Sequence, residues 1–236
     1  MANTELVVAL DFETVNAAEE IIEVLSGLPV IYKVGLELFT AAGPAWIKQL
    51  TSTGHRIFLD LKLHDIPTTV SKTIQQILKM DVEFTTVHLI GGNKMLELIS
   101  EVLPKDTMLK ILGVSVLTSF REEDWISNTS LVAKLGSSRS IHDSVLHFAT
   151  VAHDHSSISG MVCSPLEVEE VRRKYPRLFL MVPGIRPLDM NQDDQARVMT
   201  PQEASRVGAS AIVVGRPITQ SENPRLVAQE ILKDLS

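Results

Sequence analysis

One cysteine, Cys163, stands in a chain of 236 residues. A lone thiol makes no internal disulfide, which is compatible with a reducing compartment. It ends the apolar run Ile158–Cys163, so a buried, inert thiol is expected. No apolar run approaches the ~18–20 residues that a membrane-spanning helix needs. The start, Met1-Ala2-Asn3-Thr4, lacks the charged and then apolar pattern of a secretory signal. A cytoplasmic protein with no membrane partner is expected. Basic residues are not in excess: 22 Lys+Arg face 29 Asp+Glu, a net charge of −7. That argues against nucleic acid as a partner, because tracking phosphates needs a basic face. It leaves room for a small anionic ligand, since the field in a cleft is set by nearby groups. The phosphate-loop pattern GxxxxGK[ST] and the dinucleotide pattern GxGxxG are both missing, which disfavours triphosphates and dinucleotides. His147, His153 and His155 do not match a two-ligand helix motif, and no His or carboxylate set has zinc spacing. They read as helix-end histidines, and no metal is expected. No Pro/Ser-rich linker divides the chain, so residues 1–236 are read as a single domain.

What the chain does have is a rhythm of short apolar runs. They are Leu6–Leu10, Val30–Val34, Ile57–Lys62, Phe84–Leu89, Ile111–Val116, Ile158–Cys163, Leu178–Val182 and Ala211–Val214. Most are five or six residues long and rich in Val and Ile, as in strands covered on both faces. Helical patterns lie between them: Ala17–Ser26, Pro67–Met80, Asn93–Leu103, Ile141–His153, Leu166–Tyr175 and Asn223–Leu235. The longest stretch without a strand, Thr118–Ser157, is expected to hold a mobile loop followed by helices. Eight strands alternating with helices make an α/β fold, and the count favours closure into a single (β/α)8 TIM barrel.

Active residues of such barrels lie at the C-terminal ends of the strands and in the loops that follow. Polar residues gather at those places here. Asp11 follows the first strand, Lys33 lies in the second, Asp60 and Lys62 lie in the third, and His64 and Asp65 come just after. Asp60 and Lys62 are two apart, so on a strand they share a face, while Leu59, Leu61 and Leu63 take the other. Two charges pointing into a barrel are costly unless they are paired or functional. Lys33 from the neighbouring strand would complete a plus-minus-plus array. Clustered titratable groups at one mouth fit a tuned acid/base site. His64 and His88 lie near the same mouth.

A second signal follows strands seven and eight. The turns Val182-Pro183-Gly184-Ile185-Arg186-Pro187 and Val214-Gly215-Arg216-Pro217-Ile218 occupy the loops that often build a phosphate site. Glycine allows close approach of the backbone, and arginine suits bidentate phosphate binding.

Taken in order, these blocks resemble the orotidine 5′-phosphate decarboxylase family. The blocks are Ala9-Leu10-Asp11, Lys33-Val34-Gly35, Phe58–Pro67, Val116-Leu117-Thr118-Ser119, Val182–Pro187 and Val214–Thr219, and they span nearly the whole chain. The resemblance implies a homodimeric barrel enzyme with no metal and no organic cofactor. It would convert orotidine 5′-monophosphate to UMP and CO2 in de novo pyrimidine synthesis. Carried over, Lys62 would donate a proton to C6 of the pyrimidine, and Asp60 would sit against the departing carboxylate. Lys33 would bind the ribose region and hold the charge network. Asp65 would come from the neighbouring subunit, with Ile66 and Thr69 near it. Asp11 would bind ribose and Thr118 the pyrimidine. Arg186, Gln195, Gly215 and Arg216 would form the phosphate site, with Gln195 preferred over Gln192.

Two other readings stay beside this one. Metal-dependent sister enzymes that act on sugar phosphates share the D-x-K-x-x-D core, but resemble a site with a carboxylate in the place of Lys33. A nucleotide-phosphate binder without catalysis would not need the Asp60/Lys62 pair.

Overall fold

A computed structural model of the protein describes residues 4–130, 140–186 and 199–235. Eight parallel strands close into a barrel in chain order, with the last pairing against the first. They are β1 (Glu5–Ala9), β2 (Val30–Val34), β3 (Arg56–Leu63), β4 (Phe84–His88), β5 (Lys110–Val114), β6 (Gly160–Val162), β7 (Phe179–Val182) and β8 (Ala211–Val214). The helices between them are α1 (Val15–Val24), α2 (Leu36–Ser52), α3 (Pro67–Ile77), α4 (Asn93–Val102), α5 (Glu122–Ser130) and α6 (Ile141–Asp154). After β6 come α7 (Val168–Lys174), α8 (Pro201–Arg206), the single turn α9 (Arg216–Thr219) and α10 (Pro224–Asp234). The expected (β/α)8 barrel is therefore present.

Strand alternation divides the apolar residues into two layers. Leu6, Val8, Tyr32, Leu59 and Ile111 belong to the layer between the strands and the helices. Val7, Ile31, Phe58, Phe84, Leu112, Met181 and Ala211 point inward, at most 1% exposed, and form an apolar plug across the barrel. Phe58 and Phe84 meet edge to face, with ring centroids 6.1 Å apart. Below the plug, at the N-terminal ends of the strands, lies an ionic floor. Arg56 reaches Glu5 at 2.7 Å and Glu83 at 2.7 Å, and Lys110 reaches Glu83 at 3.2 Å.

Three local features differ from the sequence pattern or refine it. Helix α2 was not among the expected helices. Gly43 interrupts it at φ 74° and Pro44 follows, so a broken helix looks like punctuation in the sequence. Trp46 of α2 donates to Glu19 of α1 at 2.9 Å and pins the two helices together. Within the stretch Thr118–Ser157, where a mobile loop followed by helices was expected, α5 and α6 are both helical, and residues 131–139 lie outside the described residues. Strand β6 opens on Gly160, where a Cβ would stand 2.1 Å from the carbonyl oxygen of Phe179. That is a close approach only glycine allows.

Candidate active site

The C-terminal mouth of the barrel holds two ion pairs. Lys62 Nζ lies 2.6 Å from Asp60 Oδ2, and Lys33 Nζ lies 2.9 Å from Asp11 Oδ1. The plus-minus-plus array expected from sequence thus resolves into two pairs, with Lys33 matched to Asp11. Asp60 is the most enclosed of the four, its side chain only 10% exposed. A carboxylate so enclosed needs hydrogen-bond partners on both oxygens to offset the water it has lost. It has them: Lys62 Nζ serves Oδ2, and the Thr86 hydroxyl donates to Oδ1 at 2.9 Å.

Lys62 reaches this place by a route that strand alternation does not describe. Its φ is 49°, in the left-handed region, which typically costs a non-glycine residue about 1–3 kcal/mol. The ladder between β3 and β4 shifts at the same point. Leu59 faces Thr85 and Leu63 faces Val87, so Asp60, Leu61 and Lys62 together lie opposite Thr86 alone. The two charges do meet on the inner side, and Leu61 and Leu63 pack outward as alternation predicts. The join between them is a bulge.

These charges stand between two lobes of open space. One lobe, of about 200 Å³, is bounded by Lys33, Asp60 and Lys62 on one side. Thr118, Val116, Val162, Cys163, Met181 and Pro183 bound it elsewhere, with Phe58 from the plug also part of the lining. The other lobe, of about 230 Å³, shares Lys33, Asp60 and Lys62 and adds Asp11, Gly35 and Glu37. A ligand spanning both would meet mostly apolar walls in the first and charged groups, Asp11, Lys33 and Glu37 among them, in the second. Cys163 is buried as expected, and burial pushes its thiol up to about 12. It contributes to the wall and is inert there.

The other expected residues divide by position. Thr118 lines the apolar lobe. Gly215 closes on the Lys33–Asp11 pair: a Cβ there would lie 3.4 Å from Ala9 Cβ and 3.8 Å from Asp11 Oδ2. Arg216 begins α9 just above, and Arg186 follows β7, where its N–H donates to Met199 O at 3.0 Å. Gln195 and Gln192 lie outside the described residues. Asp65, Ile66 and Thr69 are exposed at the start of α3 and do not line either lobe. Asp65 Oδ1 accepts from the N–H of Ile66 at 2.6 Å, and Ile66 is 65% exposed.

His88 ends β4 beside His64, ring centroids 5.5 Å apart. Burial first, then the charges of His64 and Lys62, hold His88 below the usual 6.5, against a smaller upward pull from Asp60. Thr86 is the residue that sequence reasoning missed. The signal was present: Phe84, Thr86 and His88 share a face of β4, and a wholly buried hydroxyl on an inward face needs a partner. Among the described residues no group of three His, Cys, Asp or Glu side chains is arranged to hold a metal ion.

Comparison with known proteins fixes the family. Residues 4–231 match the model of the orotidine 5'-phosphate decarboxylase / HUMPS family. The chain belongs to that family. Within it, an orotidine 5'-phosphate decarboxylase of Legionella pneumophila is 41% identical over 235 residues, 98% of this chain and 99% of the relative. One from Staphylococcus haemolyticus is 44% identical over 222 residues, 92% of each chain. The crystal structure of orotidine 5'-phosphate decarboxylase from Lactobacillus acidophilus superposes with a TM-score of 0.82 at 34% identity, covering 99% of this chain and all of that one. The family likeness therefore covers nearly the whole chain. No helix among the described residues is long and apolar enough to cross a membrane.

Proposed function

We propose that this chain decarboxylates orotidine 5'-monophosphate to UMP and CO2, as one catalytic domain acting in the cytoplasm. The observation that carries the reading is the ammonium of Lys62, held 2.6 Å from an enclosed carboxylate inside an apolar-walled cavity. Full-length relatives of about 40% identity bear the name of that activity.

The chemistry asks for little more than fixed charge. Loss of CO2 from C6 leaves an electron pair in the plane of the pyrimidine ring, where the π-system cannot delocalise it. An ammonium fixed beside C6 stabilises that charge and then donates its proton to the carbon. In this reading Lys62 is the donor. Asp60 stands against the substrate carboxylate and is relieved of that repulsion as CO2 leaves. Lys33 and Asp11 face the ribose, and Thr118 faces the pyrimidine. Arg186, Gln195, Gly215 and Arg216 take the phosphate, whose binding energy, remote from C6, helps the reaction. No metal or organic cofactor enters these steps.

The same reading makes the active enzyme a homodimer. Asp65 and Ile66 are exposed and line neither lobe of the cavity of their own chain. Asp65 would complete the charge network of the partner, with Ile66 and Thr69 beside it. A mixture of Lys62→Ala and Asp65→Ala chains tests this. Recovered activity in the mixed dimer supports a shared site, and its absence removes it.

Turnover followed by ultraviolet absorbance tests the central claim. Wild type should consume orotidine 5'-monophosphate, in excess EDTA as well, and Lys62→Ala should lose about 10²–10⁴-fold or more in kcat. An inactive wild type, or an undiminished Lys62→Ala, removes the proposal. Loss of activity in EDTA that Mg²⁺ restores removes the cofactor-free part.

A further inference from the structure

We propose that Thr86 is a positioning residue, which sets the geometry of the Asp60–Lys62 pair through the bulge in β3. Three residues of β3 face this one residue of β4. At such a place the ladder loses a backbone partner, and a buried N–H is left to find another acceptor. The Lys62 N–H finds the Thr86 hydroxyl, at 2.8 Å. That hydroxyl in turn donates a hydrogen bond to Asp60 Oδ1, at 2.9 Å. Lys62 Nζ then returns to Asp60 Oδ2. The three contacts close a ring: main chain of Lys62, hydroxyl of Thr86, carboxylate of Asp60, ammonium of Lys62. One hydroxyl thereby fixes both the backbone of the lysine and the plane of the carboxylate.

Only a hydroxyl fits this role at this size, because the position needs one acceptor and one donor on the same atom. Valine keeps the shape and removes both. Serine keeps both and removes a methyl group. The neighbour Thr85 supplies an internal standard. It is equally buried, and its hydroxyl donates to the Leu59 carbonyl at 2.9 Å, on the outer face of the strand and away from the charges. A role confined to folding would make Thr85→Val and Thr86→Val behave alike.

The activity arm of the test rests on the decarboxylase reading, and the structural arm does not. Wild type, Thr86→Val, Thr86→Ser and Thr85→Val are compared for kcat, KM and Tm, and crystal structures of wild type and Thr86→Val are compared at the bulge. Thr86→Val should lose about 100-fold in kcat, the scale of an ångström-sized misplacement, with KM changed far less. Thr86→Ser should recover most of that loss, and Thr85→Val should keep kcat near wild type. In the crystal, Lys62 should leave the left-handed region or the Asp60 carboxylate should turn away from Lys62 Nζ. Equal kcat in the two valine variants, or an unmoved pair in the Thr86→Val crystal, overturns the proposal. A moved pair in an enzyme whose wild type has no decarboxylase activity upholds the positioning role and removes the decarboxylase reading. If Thr86→Val does not fold, Thr86→Ala is judged by the same measures.

Discussion

Arg56 grips Glu83 with two nitrogens, Nε at 2.7 Å and one terminal nitrogen at 2.9 Å. The pair links β3 to the residue before β4, and Glu5 and Lys110 extend it around the floor of the barrel. Burial pushes the Glu83 carboxyl up, but hydrogen bonds and charge from Arg56 and Lys110 outweigh it and hold the carboxyl below the usual 4.5. Because the folded value is depressed, the stabilisation is present above the unfolded value and is lost as pH falls through the folded one. Glu83→Gln should cost about 2 kcal/mol at neutral pH, and its stability should fall less than that of wild type between pH 5 and 3, roughly the range of carboxylate titration. Urea denaturation across pH measures both.

His88 works in the opposite part of the scale. Its folded value lies below the ordinary 6.5, so the unfolded chain takes up a proton first as pH falls. Folding stability should therefore decline as pH drops below about 6.5, with the full penalty below the folded value. His88→Gln should flatten that decline. Tm recorded from pH 8 to pH 5, roughly spanning histidine titration, shows whether it does.

Asp11 and Lys33 should report on binding more than on chemistry. Asp11→Ala removes the partner 2.9 Å from Lys33 Nζ and a face of the polar lobe. KM for orotidine 5'-monophosphate should rise about tenfold or more, equal to about 1.4 kcal/mol, while kcat falls less. Steady-state kinetics separates the two. A fall in kcat alone would place Asp11 with the reacting atoms instead.

Gly160→Ala should damage the fold from the N-terminal end of β6, the end away from the mouth. The added methyl carbon would stand 2.1 Å from Phe179 O, so β6 and β7 must separate. Overpacking of this kind costs about 1–3 kcal/mol. Thermal unfolding should show a lowered Tm, and the KM of the folded fraction should stay close to wild type.

Much of the barrel was legible because its strands are short, β-branched and separated by helical patterns, and because Asp60 and Lys62 break an apolar strand at neighbouring inward positions. What was not legible depends on pairing between distant segments. Helix α2 hid behind Gly43-Pro44, where a local break interrupts a helix that tertiary packing through Trp46 keeps together. Alternation put Lys62 on the correct side but could not foresee its left-handed φ, since a bulge is a property of two strands and not of one. Thr86 escaped for the same reason: its partners lie 24 and 26 positions earlier in the chain. Lys33 looked like a neighbour for Asp60 and proved to be held by Asp11, which follows the strand on its other side.

The apolar plug formed by Phe58, Phe84 and their neighbours has one more consequence. It shuts the barrel directly beneath Asp60 and Lys62, so solvent meets Lys62 from the mouth, where the ligand itself stands. Under the proposed chemistry, the proton that Lys62 spends is replaced from that side after product leaves. Each occupancy then carries a single proton, and reloading the donor is bound to the exchange of one nucleotide for the next.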